Sequence, residues 1–192
     1  MISRRQAGLS LGSLAMLAAC APPPPNTTLA PDAPGNRDIT QILAADAEFS
    51  RFVELLSRGQ LLDGLRGAGP VTVFAPTNDA WGNIPVSIRN DLMPMAGAPD
   101  ILRLQAVLNG LIVRGEFLVA QNAGRVVDMT TRNGNRLRVD ARRMDGVTVE
   151  GLGGGGFGAG GASVGARDAG IIRADIRASN GVVQVLNRAL LP

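Results

Sequence analysis

In this chain of 192 residues, one cysteine and no histidine, lysine or tyrosine leave few side chains able to do chemistry. Without histidine there is no Ser-His-Asp or Cys-His catalysis and no imidazole metal site. Carboxylates, hydroxyls, amides and guanidinium groups remain, together with the Cys20 thiol, which has no intramolecular disulfide partner. Two carboxylates can in principle serve as the paired groups of a hydrolase, as Asp79 with Asp175 would, but nothing in their spacing supports that pairing. No catalytic residue, cofactor or metal is therefore expected, and the chain reads as a binding protein rather than an enzyme.

The elements around Cys20 give its thiol a use. Arg4 and Arg5 precede an uncharged apolar run from Ala7 to Ala19, which ends Leu17-Ala18-Ala19-Cys20. A charged start, a short apolar stretch and small residues before a cut site are the layout of a secretory signal. The run falls short of the roughly 20 apolar residues that a membrane-spanning helix requires. The tetrad resembles the lipobox of bacterial lipoproteins, which implies cleavage before Cys20, diacylglycerol on its sulfur and acylation of the new amino terminus. Several acyl chains anchor stably where one binds only marginally, since each buried CH₂ contributes about 0.8 kcal/mol. Ser3-Arg4-Arg5 also resembles a twin-arginine export signal, although Ala7 and Gly8 stand where larger apolar residues usually follow; Sec export is the alternative. Ala21, rather than Asp, after Cys20 resembles lipoproteins passed on to the outer membrane.

Residues 1–19 are thus expected to be a signal peptide and 20–37 an anchor and linker. Pro22 to Pro25 favour an extended polyproline helix that cannot join a core, so this segment reads as a stalk. The remaining length suffices for one domain with a core of its own. Without Arg4 and Arg5, 17 arginines face 16 carboxylates, so no strong basic field remains. The arginine-rich stretch from Arg125 to Arg143 is interleaved with Asp128, Asp140 and Asp145 and reads as a solvated strand face. With few aromatic residues besides, no nucleic-acid partner is expected.

Residues 38–65 carry a helical pattern, with Asp38 as a start signal, Gly59 as a stop and a short further helix including Leu61, Leu62 and Leu65. Val71-Thr72-Val73-Phe74 reads as a buried strand closed by Ala75-Pro76. Thr77 or Asn78 is placed to cap a short helix that turns Trp81 inward. Asp100 opens a helix whose apolar stripe is Ile101, Leu104, Val107, Leu108 and Leu111. A short strand is expected near residues 111–113, interrupted by Gly115. Beyond Gly124 the pattern is β: Asn133-Gly134 and Asp145-Gly146 mark hairpins, and Leu137 and Val139 alternate with polar neighbours. Residues 151–165 form a glycine-rich loop that lacks the Lys-Ser/Thr of a phosphate cradle. Residues 171–176 and 182–186 are the last strands. Helices first and strands later, without βαβ alternation, make the class α+β.

Two segments far apart in the chain resemble the signature blocks of the fasciclin domain. The first is Gly69-Pro70-Val71-Thr72-Val73-Phe74-Ala75-Pro76-Thr77-Asn78-Asp79-Ala80-Trp81, and the second runs from Ser179-Asn180-Gly181 to Asn187 and ends Leu190-Leu191-Pro192. The resemblance covers residues 38–192. It implies a wedge-shaped β sandwich with helices packed at one side, and roles in adhesion, matrix contact or surface binding. Asp175-Ile176 matches an Asp-Ile pair proposed for integrin contact in animal members; a bacterial cell offers no integrin, so the pair reads as a strand residue and its neighbour. Asn78 and Asp79 are expected to tie a turn through side-chain-to-backbone hydrogen bonds. Where the family usually carries Tyr-His, this chain has Gly110-Leu111, and Gln184 stands where histidine is frequent, so binding that depends on that pair is not carried over. Leu111 is expected to fill the core instead.

These observations lead to an exported, lipid-anchored module that binds an envelope or cell-surface protein or polysaccharide, with Cys20 as the lipidation site and Asn78, Asp79, Asp175 and Ile176 as candidate contact residues. The alternative is a periplasmic binder of small hydrophobic ligands in an apolar cleft between sheet and helices.

Overall fold

Two strands are buried along their whole length, β1 (Val71–Pro76) and β7 (Gly181–Leu186). Their runs of β-branched and apolar residues suit a ladder covered on both faces, and they pair in parallel from Val71↔Gly181 to Pro76↔Leu186. The computed structural model describes residues 36–67, 69–94, 99–152 and 168–191. The expected signal peptide, Cys20, most of the stalk and residues 153–165 of the glycine-rich loop lie outside them.

β2 (Ile112–Arg114) adds antiparallel to β1, and β6 (Asp168–Ala178) adds antiparallel to β7. β6 also pairs through Asp168–Gly170 with β5 (Thr148–Gly151), which continues into β4 (Arg136–Asp140) and β3 (Val126–Thr130). The order is β2-β1-β7-β6-β5-β4-β3. Register shifts between Ile171 and Arg173 and between Arg173 and Ile176 interrupt the β6–β7 ladder; irregularities of this kind bend a strand and let it serve two sheet halves. The two ends of the order meet as well: Val113 bridges Thr131, and the Arg132 N–H donates to the Ile112 carbonyl at 2.8 Å. Two halves joined at β6 and touching at β2/β3 make the expected wedge-shaped sandwich, in an α+β fold.

Helices α1 (Ile39–Ala45), α2 (Ser50–Arg58), α3 (Leu62–Arg66), α4 (Asn78–Gly82), α5 (Val86–Leu92) and α6 (Ile101–Asn109) accompany the β1–β7 half. Asp38 caps α1 by accepting from the Gln41 N–H, while the Gln41 side chain accepts from the Asp38 N–H, a capping box. Phe49, Phe52, Leu55, Leu104 and Leu108 join Phe74 and Val183 in one apolar core. Gly181 permits the β1–β7 approach. Its φ is +152°, and a Cβ there would lie 1.9 Å from the Val71 carbonyl oxygen, so only glycine fits.

Three sequence expectations change. Ile101 is 41 % exposed, and Leu104, Val107, Leu108 and Leu111 alone carry the stripe. α5 gave no clear signal, since only Ile88 and Leu92 of its seven residues are buried. β6 spans eleven residues rather than six.

Candidate functional site

Asp175 occupies the bent stretch of β6 with φ +60°, a left-handed conformation that costs energy for a residue with a Cβ. Its surroundings compensate. Asp175 Oδ1 accepts from the Val119 N–H at 2.8 Å and from Gln184 Nε2 at 2.8 Å, and Oδ2 accepts from the Ala120 N–H at 2.9 Å. Gln184, fully buried in β7, returns Oε1 to the Asp175 N–H at 2.9 Å and donates Nε2 to the Phe117 carbonyl at 2.9 Å. Donor and acceptor on one amide are what the position requires, so glutamine satisfies it without an imidazole. The network fastens the loop after β2 onto the bend of β6. Ile176 beside it is half-buried against the core.

Asn78 reaches 27 residues back instead of tying its own turn. The N-cap of α2 is Phe49, which has no side-chain acceptor, and Asn78 supplies one. Asn78 Oδ1 accepts from the Arg51 N–H at 3.0 Å and from Ser50 Oγ at 3.3 Å, while its Nδ2 donates to the Ala47 carbonyl at 2.8 Å. Thr77 caps α4 through the Ala80 N–H. Asp79 is exposed and engages no side-chain hydrogen bond among the described residues, which corrects the expected turn tie. The four candidate contact residues do not converge: Asn78 and Asp79 stand at the start of α4, and Asp175 and Ile176 on the bend of β6.

Asn180 was not singled out as a functional candidate, yet it belongs to the same class of long-range ties. Its Oδ1 accepts from the Ile39 N–H at 2.9 Å and its Nδ2 donates to the Leu65 carbonyl at 2.7 Å, joining α1 and α3 to the β6–β7 turn. Leu111 is fully buried, as expected, and Gly110 ends α6.

Three of the surface regions among the described residues bear on binding. The first is a groove of about 520 Å³ between α2, α4 and α5, walled by Leu55, Trp81, Ile84 and Met93 with Arg51 and Arg89 at its margin. Trp81 is buried and stacks on Phe52 at 6.3 Å, and its Nε1 is the one buried side-chain polar atom among the described residues without a hydrogen-bond partner. The second, about 730 Å³, is a slot between β2 with its following loop and the free edge of β3.

The third is the wet face of β3, β4 and β5. Arg138 donates Nε and Nη2 to the two oxygens of Asp128 at 2.8 and 3.1 Å, and Arg136 adds a contact at 2.9 Å. These guanidinium groups hold the Asp128 carboxyl below the usual carboxylate range. Hydrogen bonds from the Arg142 guanidinium and backbone bring Asp140 to about 2. These charges answer one another, as expected of a solvated face, and leave little field for an external polymer. As for hydrolysis, Asp175 has its oxygens occupied by three N–H donors, and neither it nor Asp79 lines these grooves.

Comparison with known proteins places the same segments. Residues 47–192 match the family model of the fasciclin domain. Protein sll1483 of Synechocystis is 28 % identical over 155 residues, which are 80 % of this chain and 73 % of that one. The pig transforming growth factor-beta-induced protein ig-h3 is also 28 % identical over 155 residues, but these make up only 19 % of its length. Among solved structures, the FAS1 domain pair from the insect cell adhesion molecule fasciclin I matches with a TM-score of 0.54 and 27 % identity, over 74 % of this chain and 45 % of that one.

Proposed function

This chain belongs to the fasciclin-domain family, and from that premise we propose that it is a membrane-held, non-catalytic binding module of the bacterial cell envelope. In this reading residues 1–19 direct export and are removed, Cys20 carries the lipid, residues 20–37 hold the domain off the membrane, and the domain contacts an envelope or cell-surface protein or polysaccharide. The outer membrane is the proposed destination. The observation that supports it most is the match of the domain, over most of its length, to a domain pair from a cell adhesion molecule. Its internal chemistry agrees: Asn78, Asp175 and Asn180 are engaged in holding elements together, so function falls to the surface rather than to a reactive cluster. The test is a deletion strain assayed for surface attachment and matrix retention. Both should fall and return on complementation; attachment unchanged by deletion contradicts the proposal.

The groove beside Trp81 favours a second reading, a small hydrophobic ligand held between α2, α4 and α5 rather than in the expected cleft between sheet and helices. Trp81 is the only tryptophan and therefore its own reporter. Titration with a medium-chain fatty acid should change its emission saturably, and native mass spectrometry should show a bound species. Silence in both disposes of this reading.

A further inference from the structure

The slot between β2 and β3 lies beside the outer edge of β3, part of which has no neighbouring strand among the described residues. In the β3–β4 ladder the Thr131 N–H donates to the Asn135 carbonyl and the Ala141 N–H to the Arg125 carbonyl. Bonded pairs alternate along an antiparallel ladder, so Val127 and Met129 turn their backbone groups toward β4. Val126, Asp128 and Thr130 therefore turn theirs away from it, along the outer edge of β3; Thr130 lines the slot, and Val126 and Asp128 continue the edge beyond it. β3 meets β2 only at the Thr131–Val113 end, and Val126 and Asp128 have no strand beside them among the described residues. Such a row of N–H and C=O groups is a template for another strand.

The slot's other walls indicate what would add there. Val127 and Met129 are half-buried, and Phe117 lies at the opposite wall, so a narrow apolar floor runs beside the free edge. Arg114 and Arg132, both exposed, stand at the end where β2 and β3 touch, and neither guanidinium enters an ion pair among the described residues. Glu116 is the one carboxylate in the lining, which leaves the slot a net single positive charge. This differs from the adjoining wet face, where Asp128 and Asp140 already hold their arginines.

We propose that this slot is a docking site for an extended acidic peptide segment of a partner protein, which adds as a strand to the edge of β3 and pairs its carboxylates with Arg114 and Arg132. Outward backbone groups recur every second residue, about 6.8 Å apart, which is the repeat of an extended peptide. Main-chain hydrogen bonds would supply affinity, with alternate side chains reading the apolar floor and the arginines.

The inference rests on the binding-module reading and names its partner's chemistry, and the experiment separates the two. Detergent-solubilised full chain is titrated by fluorescence anisotropy with a labelled seven-residue peptide of alternating glutamate and valine. Lysine–valine and backbone N-methylated versions serve as controls, and a polyuronate as competitor. The glutamate peptide should bind saturably, the lysine and N-methylated peptides should not, and Arg114→Glu with Arg132→Glu should weaken binding by about tenfold or more. Both arginines are exposed and outside any ion pair among the described residues, so the double variant should keep the wild-type melting temperature. Binding indifferent to the double variant or to N-methylation overturns the slot, as does equal displacement by the polyuronate or a dimer that the peptide does not dissociate. If the peptide fails while deletion still abolishes attachment, the slot is wrong and the binding module stands. If deletion leaves attachment intact, the module reading fails, whatever the peptide does.

Discussion

The two halves of the wedge use polar side chains in opposite ways. Around β1 and β7, Asn78, Asp175, Asn180 and Gln184 form bonds between elements far apart in sequence, and each receives or supplies backbone partners. Across β3, β4 and β5 the polar side chains are arginines and aspartates pairing with near neighbours in water, beside an edge left open. Partly buried bonds to otherwise unsatisfied backbone groups are costly to break, whereas exposed ion pairs contribute little. The first half thus ties distant elements together, and the second is freer to vary its surface.

The comparison can be broken by substitution, beginning with the largest effect. Gly181→Ala would drive a Cβ into the Val71 carbonyl at the first pair of the parallel ladder and should cost about 4 kcal/mol or more, leaving little folded protein in urea titrations. Asp175→Ala removes the acceptor of three N–H groups and leaves an alanine at φ +60°, so a loss of about 3 kcal/mol is expected by the same measurement. Asp175→Asn, which tolerates the left-handed conformation better, should cost less. Asn78→Ala uncaps α2 and should cost about 1 kcal/mol, seen as a lower thermal midpoint. A midpoint unmoved by Asp175→Ala would erase the contrast between the halves.

The smallest effect should come from the wet face and the exposed caps, through acid. Asp140 is held at about 2 by Arg142, and Asp46 is lowered by its bonds from the Glu48 N–H and Arg173. Asp38 is lowered chiefly by the Thr40 hydroxyl. A carboxyl with a depressed folded pKa contributes stability that is present above its unfolded value and lost as pH falls through the folded one. With no histidine, the thermal midpoint should stay level from about pH 8 to about pH 5 and decline only between about pH 4 and pH 2. A step near pH 6.5 would point to a titrating group outside this account.

Much of both halves was legible in the chain. The runs at 71–76 and 181–186 and the Asp38 and Thr77 caps of the first half, and the Asn133-Gly134 hairpin of the second, are local signals, because propensity and capping act over a few residues. The parallel pairing of β1 with β7 has no such signal, since it brings together strands from opposite ends of the domain. The same limit applies to Asn78 and Asn180, whose partners lie 27 to 141 residues away. Asp175 reads as an ordinary strand residue, because alternation does not reveal the sign of φ. The slot was invisible for a related reason: an edge is free only relative to the strand that fails to cover it.

The most direct test of a membrane-held module is at the Cys20 thiol. In cells carrying only Cys20→Ala, the protein should be folded, with the wild-type melting temperature, and recovered in the soluble fraction, and surface attachment should fall to the level of the deletion strain. Membrane association persisting without Cys20, or attachment equal to wild type after release from the membrane, would contradict the proposed membrane-held binding module.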